Sequence, residues 1–485
     1  MSRDVDVDVP GPVAVRMEIS QSKYLSAAKG EQEMHAILTV RVDGTEGGAG
    51  AGPLLAQILA VDCSSSMDFP EEKLRAARRA AVAALRILPD GTPFAVIRGA
   101  ETAAVAYPPD GAMVRADARR RAEAEEAVYR LVAAGGTCMG AWLELSCQLL
   151  EEQDAPIGHV LLLTDGKNQH DALKPLDGVL GKCAGRFVCD AWGIGDGWDG
   201  RELLKITRHL HGSAGSVREA SALREEYEKL MHRLLTKSVP ELVISVTPED
   251  GAAVRYVKQV FPAEAELASG GGQDGGPQRF VTRAWGDETR RYQLCLSADP
   301  AGREPGKDLP LALVAVEVPG GEGVRLPMPL ACVAHWTDDP ALSRYTDVQV
   351  GHFERHQLLG EAIAAATDAH RNGEHDLAER KLGQAVRLAH GMGGAGPLGR
   401  LERLVEIVDA VEGRVRMRPG VAAVDFEHLI TASSHSTYGP ASAPGCGTAP
   451  AGPAGGTMPC PACEKKAPVT ARFCPSCRHR FGERP

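Results

Sequence analysis

Between residues 54 and 237 short, wholly apolar runs alternate with amphipathic helical stretches, and that alternation restricts this part of the chain to few architectures. LLAQILAV, VLLLT and FVCDAWGI are too short for core helices and too apolar for strands with one wet face. The stretches between them, beginning with the Ala- and Arg-rich segment after residue 70, carry a single apolar stripe. Strands buried on both faces need helices on both faces, so a doubly wound parallel sheet is expected, with FAVIRG and AAVAY as an adjoining strand pair. In such sheets ligands gather outside the carboxyl ends of the strands, which is where chemistry should be sought.

The flanks follow other rules. A chain of 485 residues has room for about three folded units. PVAVRMEIS and HAILTVRVD, within residues 12 to 42, read as two strands, and two strands cannot bury a core alone. From 241 to 336 helical periodicity disappears, and strand-like pieces such as ELVISVTP and RRYQLCLSA stand between Gly and Pro clusters. The expected fold class is therefore multidomain: a Rossmann-like α/β domain inserted in a β-sandwich, then a helical segment and a C-terminal metal-binding tail. The boundaries expected are 1–45 for the N-terminal sandwich strands, 52–237 for the α/β unit and 241–336 for the rest of the sandwich. A helical region at 340–412, with HDLAERKLGQAVRLAH patterned like one repeat hairpin, a Ser/Ala/Pro/Gly linker at 431–459 and the tail at 460–485 complete the layout.

The first apolar run of the α/β unit ends in AVDCSSSM, setting Asp62, Ser64 and Ser66 in a D-x-S-x-S pattern ahead of a helix. Asp and Ser are also favoured helix caps, and on these three residues alone capping explains the pattern equally well. AGGTCMG adds Thr137 at a second helix start, and VLLLTDGK adds Asp165 directly after a buried strand. Two carboxylates and three hydroxyls are hard donors, suited to Mg²⁺, Mn²⁺ or Ca²⁺ and poorly suited to zinc.

These five residues and the strand order around them resemble the von Willebrand factor A (vWA) domain and its metal-ion-dependent adhesion site. The resemblance implies that Ser64, Ser66 and Thr137 reach the metal through hydroxyls, and Asp62 and Asp165 directly or through water. Such a cation stays under-neutralised, so a partner's Asp or Glu displaces one of its waters. The family commonly has Gly where this chain has Ser65, and a position requiring φ > 0 would strain a serine. Cys63 and Cys138, which alternate with ligands, read as small buried hydrophobes.

The tail CPACEKKAPVTARFCPSC spaces Cys460, Cys463, Cys474 and Cys477 as two C-x-x-C pairs, the arrangement of a tetrahedral Zn²⁺ ribbon. A redox dithiol would come singly and near a βαβ unit. So short a segment has no sufficient core and is expected to fold only around its metal, in a structural role because four thiolates leave no open position. Its Lys465, Lys466, Arg472, Arg478 and Arg480 are most simply a solvated surface.

Several motifs fail on one residue. HFERH has the helical spacing of a zinc protease in His352 and His356, but Phe353 stands where the catalytic Glu belongs. GIGDGWDG has Trp198 in place of the third glycine of a dinucleotide turn. No G-x-S-x-G or Walker sequence occurs, and ARRRAEAEE reads as a solvated helix face.

The net charge of -10, with a tail of six Lys or Arg against two Glu that leaves -14 for the rest, disfavours nucleic acid and acidic membranes as partners. An acidic N-terminus and the lack of long apolar runs point to a soluble, cytoplasmic protein. The whole layout is similar to bacterial intracellular vWA proteins, including the tellurium-resistance-associated ones. That similarity implies partners among protein kinases, PP2C phosphatases, forkhead-associated proteins and MoxR-type ATPases. The function expected is a metal-dependent protein-interaction scaffold in a signalling or stress-response assembly, and not an enzyme. A metal-assisted phosphoesterase on the same cation and an RNA-associated module using the basic ribbon are the alternatives. The linker hydroxyls of Thr431, Ser433, Ser434, Ser436 and Thr437 are open to a kinase on this reading, although a linker that is merely soluble explains the same composition.

Overall fold

The structure, a computed structural model, describes residues 13–28, 30–44, 54–169, 172, 174–217, 223–271, 276–300, 306–321, 323–393 and 395–436, with 457–459, 461 and 466–468 beyond them. The chain begins with β1 (Ala14–Gln21), β2 (Tyr24–Ser26) and β3 (Gln32–Asp43). Next come β4 (Leu55–Asp62), α1 (Glu72–Ile87), β5 (Pro93–Gly99), β6 (Ala103–Tyr107), β7 (Val114–Arg115), α2 (Ala118–Tyr129) and α3 (Met139–Glu151). This unit finishes with β8 (Ile157–Thr164), α4 (Leu176–Cys183), β9 (Val188–Ile194), α5 (Gly200–His209), β10 (Ala214–Val217) and α6 (Leu223–Leu235).

Its sheet has the order β10-β9-β8-β4-β5-β6, and β4 pairs in parallel with both β5 and β8. Every residue of β4 is buried, as expected of a central strand covered on both faces. Three core residues of the sheet are polar for a reason the apolar pattern hides. Gln57 meets His159 Nδ1 at 2.9 Å, and His159 Nε2 lies 2.8 Å from Asp190, which also accepts from the backbone N–H of Ser213 at 2.7 Å. Each buried polar group thus finds a partner, and the network ties β4, β8 and β9 together. One face of the sheet is covered by α1, α2 and α6, the other by α3, α4 and α5.

The chain then continues through β11 (Val239–Pro248), β12 (Ala252–Phe261), β13 (Ala265–Glu266), β14 (Ser269–Gly271), β15 (Gln278–Trp285), β16 (Glu288–Ala298), β17 (Asp308–Glu317) and β18 (Leu330–Thr337). One sheet runs β1-β3-β16-β12-β13 and the other β14-β15-β11-β17-β18-β2. Between them lies a single apolar core in which Met34, Ala36, Leu38 and Val40 of β3 share a cluster with Leu242, Ile244 and Val246 of β11. The parallel sheet therefore interrupts a sandwich that starts before it and finishes after it. The N-terminal segment also supplies β2 in parallel with β18, so it feeds both sheets and not one hairpin alone.

Beyond the sandwich, α7 (Val348–Arg371) and α8 (His375–Gly391) form a helical hairpin, followed by α9 (Ala395–Leu401), the hairpin β19 (Val405–Asp409) and β20 (Arg414–Met417), and α10 (Ala423–Ser433). Apolar residues of α7, α8 and α10 merge with those of α5 into one core, which seats this segment on the parallel sheet's helical layer. Ordered structure thus passes well beyond residue 412. Thr431 and Ser434 are buried, and their hydroxyls donate to the carbonyls of Glu427 and Thr431, so they belong to the last turn of α10 and not to an open linker. That corrects the expectation of kinase-accessible hydroxyls for Thr431 and Ser434; Ser433 and Ser436 are half-buried, and Thr437 lies outside the described residues. So do all four tail cysteines, although Thr457–Pro459 and Lys466–Pro468 pair antiparallel on either side of the first C-x-x-C. No helix among the described residues is long and apolar enough to cross a membrane.

His352 and His356 both lie buried on α7. Burial, with His356, Arg355 and Arg291 nearby, pushes the His352 imidazolium down to about 4. The unfolded chain then binds a proton near pH 6.5 that the folded chain refuses until near pH 4, so stability falls as pH drops through that window. The expected loss is about 2 kcal/mol after allowing for water that still reaches the ring, and His352→Phe should flatten the dependence of the denaturation midpoint between about pH 7 and pH 4.

Candidate metal centre

The site forms where β4 and β8 end side by side. Asp62 closes β4, and its Oδ1 accepts from the Ser64 backbone N–H at 2.7 Å, folding the loop back on the strand end. A single 3₁₀ turn over Ser65–Asp68 follows, and the Ser64 side chain makes no capping hydrogen bond to it. The Ser64 hydroxyl lies instead 3.0 Å from that of Ser66, which donates to Asp165 Oδ1 at 2.7 Å. Capping therefore does not account for the motif. Ser65 is not among the described non-glycine residues with positive φ, so the family's usual glycine is not needed here. Its backbone N–H and its hydroxyl both reach the Gly135 carbonyl, binding this loop to the one that carries Thr137.

The third side of the site is the Gly166 backbone. A Cβ placed on Gly166 would stand 3.0 Å from Thr137 Oγ1, 3.6 Å from Ser66 Oγ and 3.7 Å from Asp62 Oδ2. Side chains from three separate loops thus surround one small space that glycine leaves open. Asp62, Thr137 and Asp165 are buried and Ser66 is exposed, so the space is lined within the protein and reached from the Ser66 side. Burial pushes the Asp62 carboxyl up to about 6, against hydrogen bonds from Ser64 and Thr164 that pull it down. A carboxylate held this far from water gains strongly from a neighbouring cation. The donor set and the space fit a small, hard divalent ion: Asp62, Ser66 and Thr137 border the space, and Ser64 and Asp165 reach it through the Ser66 hydroxyl.

One residue here was not singled out. Lys73, in the first turn of α1, is buried, and its ammonium lies 2.9 Å from Asp165 Oδ2 and 3.4 Å from Asp196 Oδ1. Burial pulls its pKa down, but Asp165 and Asp196 outweigh this and hold it above the ordinary lysine value. Its path is made by Gly195, at φ +72°, where a Cβ would press within 2.8 Å of Lys73 Cε. In the sequence Lys73 sits in EEKLRAARRA, one of several charged residues at the start of an Ala- and Arg-rich helix. A cavity of about 430 Å³ opens beside it, lined by Pro70, Lys73, Asp196, Val424 and His428 among others, so α10 forms part of the rim.

Cys63 and Cys138 are both fully buried, in agreement with a packing role. His352 and His356 stand on α7, outside this site.

A family model described as the von Willebrand factor type A domain matches residues 56–215. No curated protein matches the chain. Among solved structures, a von Willebrand factor type A protein from Catenulispora acidiphila is 32% identical, with 90% of this chain and 99% of that chain covered at a TM-score of 0.78. The ArnB paralog VWA2 from Sulfolobus acidocaldarius, 12% identical with 86% and 98% covered at a TM-score of 0.51, shares the fold. Since the likeness to the Catenulispora protein runs through sandwich, parallel sheet and helices together, this chain belongs to the von Willebrand factor type A family.

Proposed function

We propose that this protein is a metal-dependent interaction scaffold in which Asp62, Ser64, Ser66, Thr137 and Asp165 hold Mg²⁺ or Mn²⁺ and the ion takes up an Asp or Glu side chain of a protein partner. Domains of this family are usually non-catalytic binding modules. The observation that supports the reading is the convergence of Asp62, Ser66 and Thr137 oxygens on the space beside Gly166, with Ser64 and Asp165 joined to them through the Ser66 hydroxyl, which is exposed. When bound, the cation supplies a Lewis-acidic position with exchangeable waters. The protein's own contribution is to keep most of the donors neutral, so that the ion's charge is left for an incoming carboxylate.

Lys73 favours binding over catalysis. A phosphoesterase needs a base beside the ion, and Lys73, the amine beside Asp165, is held as an ammonium by two carboxylates. In the same reading the tail cysteines Cys460, Cys463, Cys474 and Cys477 bind Zn²⁺ as a structural ribbon, and the protein works in the cytoplasm within a signalling assembly. The test is affinity capture from the native host with wild type and Asp62→Ala, each with and without chelator. A partner retained by wild type, released by chelator and absent from Asp62→Ala is the expected result. A partner set unchanged by both treatments would refute metal-dependent docking.

A further inference from the structure

Away from the strand-end site, the outer face of the sandwich sheet carries a second group of metal-type donors. Along β3 the even-numbered residues Met34, Ala36 and Leu38 enter the sandwich core, so Glu33 and His35 share the opposite face. Register places Cys295 of β16 directly across from His35, and Tyr256 of β12 across from Cys295. The donor atoms of Glu33, His35 and Cys295 all lie within 4.8 Å of one another. Around a tetrahedral Zn²⁺ such atoms stand roughly 3.3–3.8 Å apart, which small side-chain rotations reach from here.

Three features separate this group from an ordinary polar patch. Cys295 is fully buried although it sits on the face turned away from the core. His35 turns Nε2 toward Glu33, 3.9 Å from its Oε2, while its Nδ1 is shielded from solvent and meets no hydrogen-bond partner among the described residues. Two of the three donors come from alternate residues of one strand and the third from its hydrogen-bonded neighbour, so regular β-structure fixes their spacing without a flexible loop. A buried thiol, an imidazole and a carboxylate that already lies against both of them form a mixed S/N/O set. It suits Zn²⁺ and is unsuited to the hard cations expected at the strand ends.

We propose that Glu33, His35 and Cys295 form a second metal site, selective for Zn²⁺ and related borderline divalent ions, with three protein ligands and a fourth position open beside Tyr256. Binding exchanges the Cys295 thiol proton for the ion, with the proton released to solvent. The Tyr256 ring, 6.4 Å from His35 and partly exposed, borders that open position. A water or a group from a partner would complete the coordination.

The probe is Co²⁺ added to the full-length chain, because only a thiolate ligand gives sulfur-to-cobalt charge transfer and the oxygen site at the strand ends is silent in that band. Serine replaces Cys460, Cys463, Cys474 and Cys477 so that the tail does not contribute. The expected result is one charge-transfer band saturating at one equivalent, bleached by Zn²⁺ but not by Mg²⁺, lost in Cys295→Ser and at least tenfold weaker in apparent affinity in His35→Ala. Glu33→Gln, at an exposed position that leaves the fold intact by circular dichroism, should also weaken binding, which guards against misfolding of the Cys295 variant. Absence of the band in the tail-substituted protein, or its survival in Cys295→Ser, overturns the proposal.

Discussion

Asp165→Ala is expected to abolish the heat of Mg²⁺ binding and to lower the melting temperature in the same protein, because one carboxylate serves both purposes. Its Oδ1 accepts from Ser66 within the donor cluster while Oδ2 holds the Lys73 ammonium at 2.9 Å. Removing one partner of a buried ion pair costs about 3–5 kcal/mol, since the remaining charge is left without compensation. Asp196, exposed and 3.4 Å from Lys73, retains part of the pairing, so the lower end of that range is expected. The two effects separate in Asp165→Ala with Lys73→Met, which should recover most of the melting temperature and none of the metal binding. Calorimetry and thermal melts on the single and double variants read both quantities. Equal Mg²⁺ binding by wild type and a Ser64→Ala, Asp165→Ala variant would show that the ion sits elsewhere.

Deleting residues 1–45 should unfold the sandwich and leave the parallel sheet folded. β3 lies between β1 and β16 and pairs with β16 from Val42↔Glu288 to Gln32↔Ala298, so its loss strips a full ladder from the sheet. It also removes Met34, Leu38, Val40 and Val42, each fully or almost fully buried in the shared core. At roughly 1.5–3 kcal/mol for each large apolar side chain, their loss rivals the about 5–15 kcal/mol that stabilises a whole domain. Among the described residues the strands of the parallel sheet pair only with one another, so none of their ladders is cut. Limited proteolysis read by mass spectrometry should show rapid cleavage within 239–337 and persistent protection of 55–217. Protection of both regions would mean that β3 is dispensable to the sandwich.

Features whose determinants are local can be read along the chain. LLAQILAV and VLLLT have no polar face, so they had to become central strands, and the residues directly after them had to emerge at the sheet's carboxyl edge. That covalent adjacency makes Asp62, Ser64, Ser66 and Asp165 legible as one cluster along the chain itself, and Thr137 is legible by its place at a helix start. The N-terminal strands are legible for the same kind of reason: two alternating runs with no core of their own need a sheet to join, and β3 finds β16.

Features that depend on how elements dock are visible in the folded molecule alone. Lys73 is 92 residues from Asp165 in sequence, and nothing near it in the chain distinguishes it from the charged residues around it. The ion pair exists because α1 packs across the sheet and Gly195 leaves room for the side chain to pass. The same holds for α10, whose Thr431 and Ser434 look like linker hydroxyls but are buried because Phe426, Leu429 and Ile430 anchor the helix in the core beside α5. It holds again for His35 and Cys295, separated along the chain and opposed only through the register of β3 on β16. A motif read along the chain records where the backbone carries a side chain, whereas a contact between distant side chains is set by packing that minimises voids over the whole core, which no single stretch of sequence encodes.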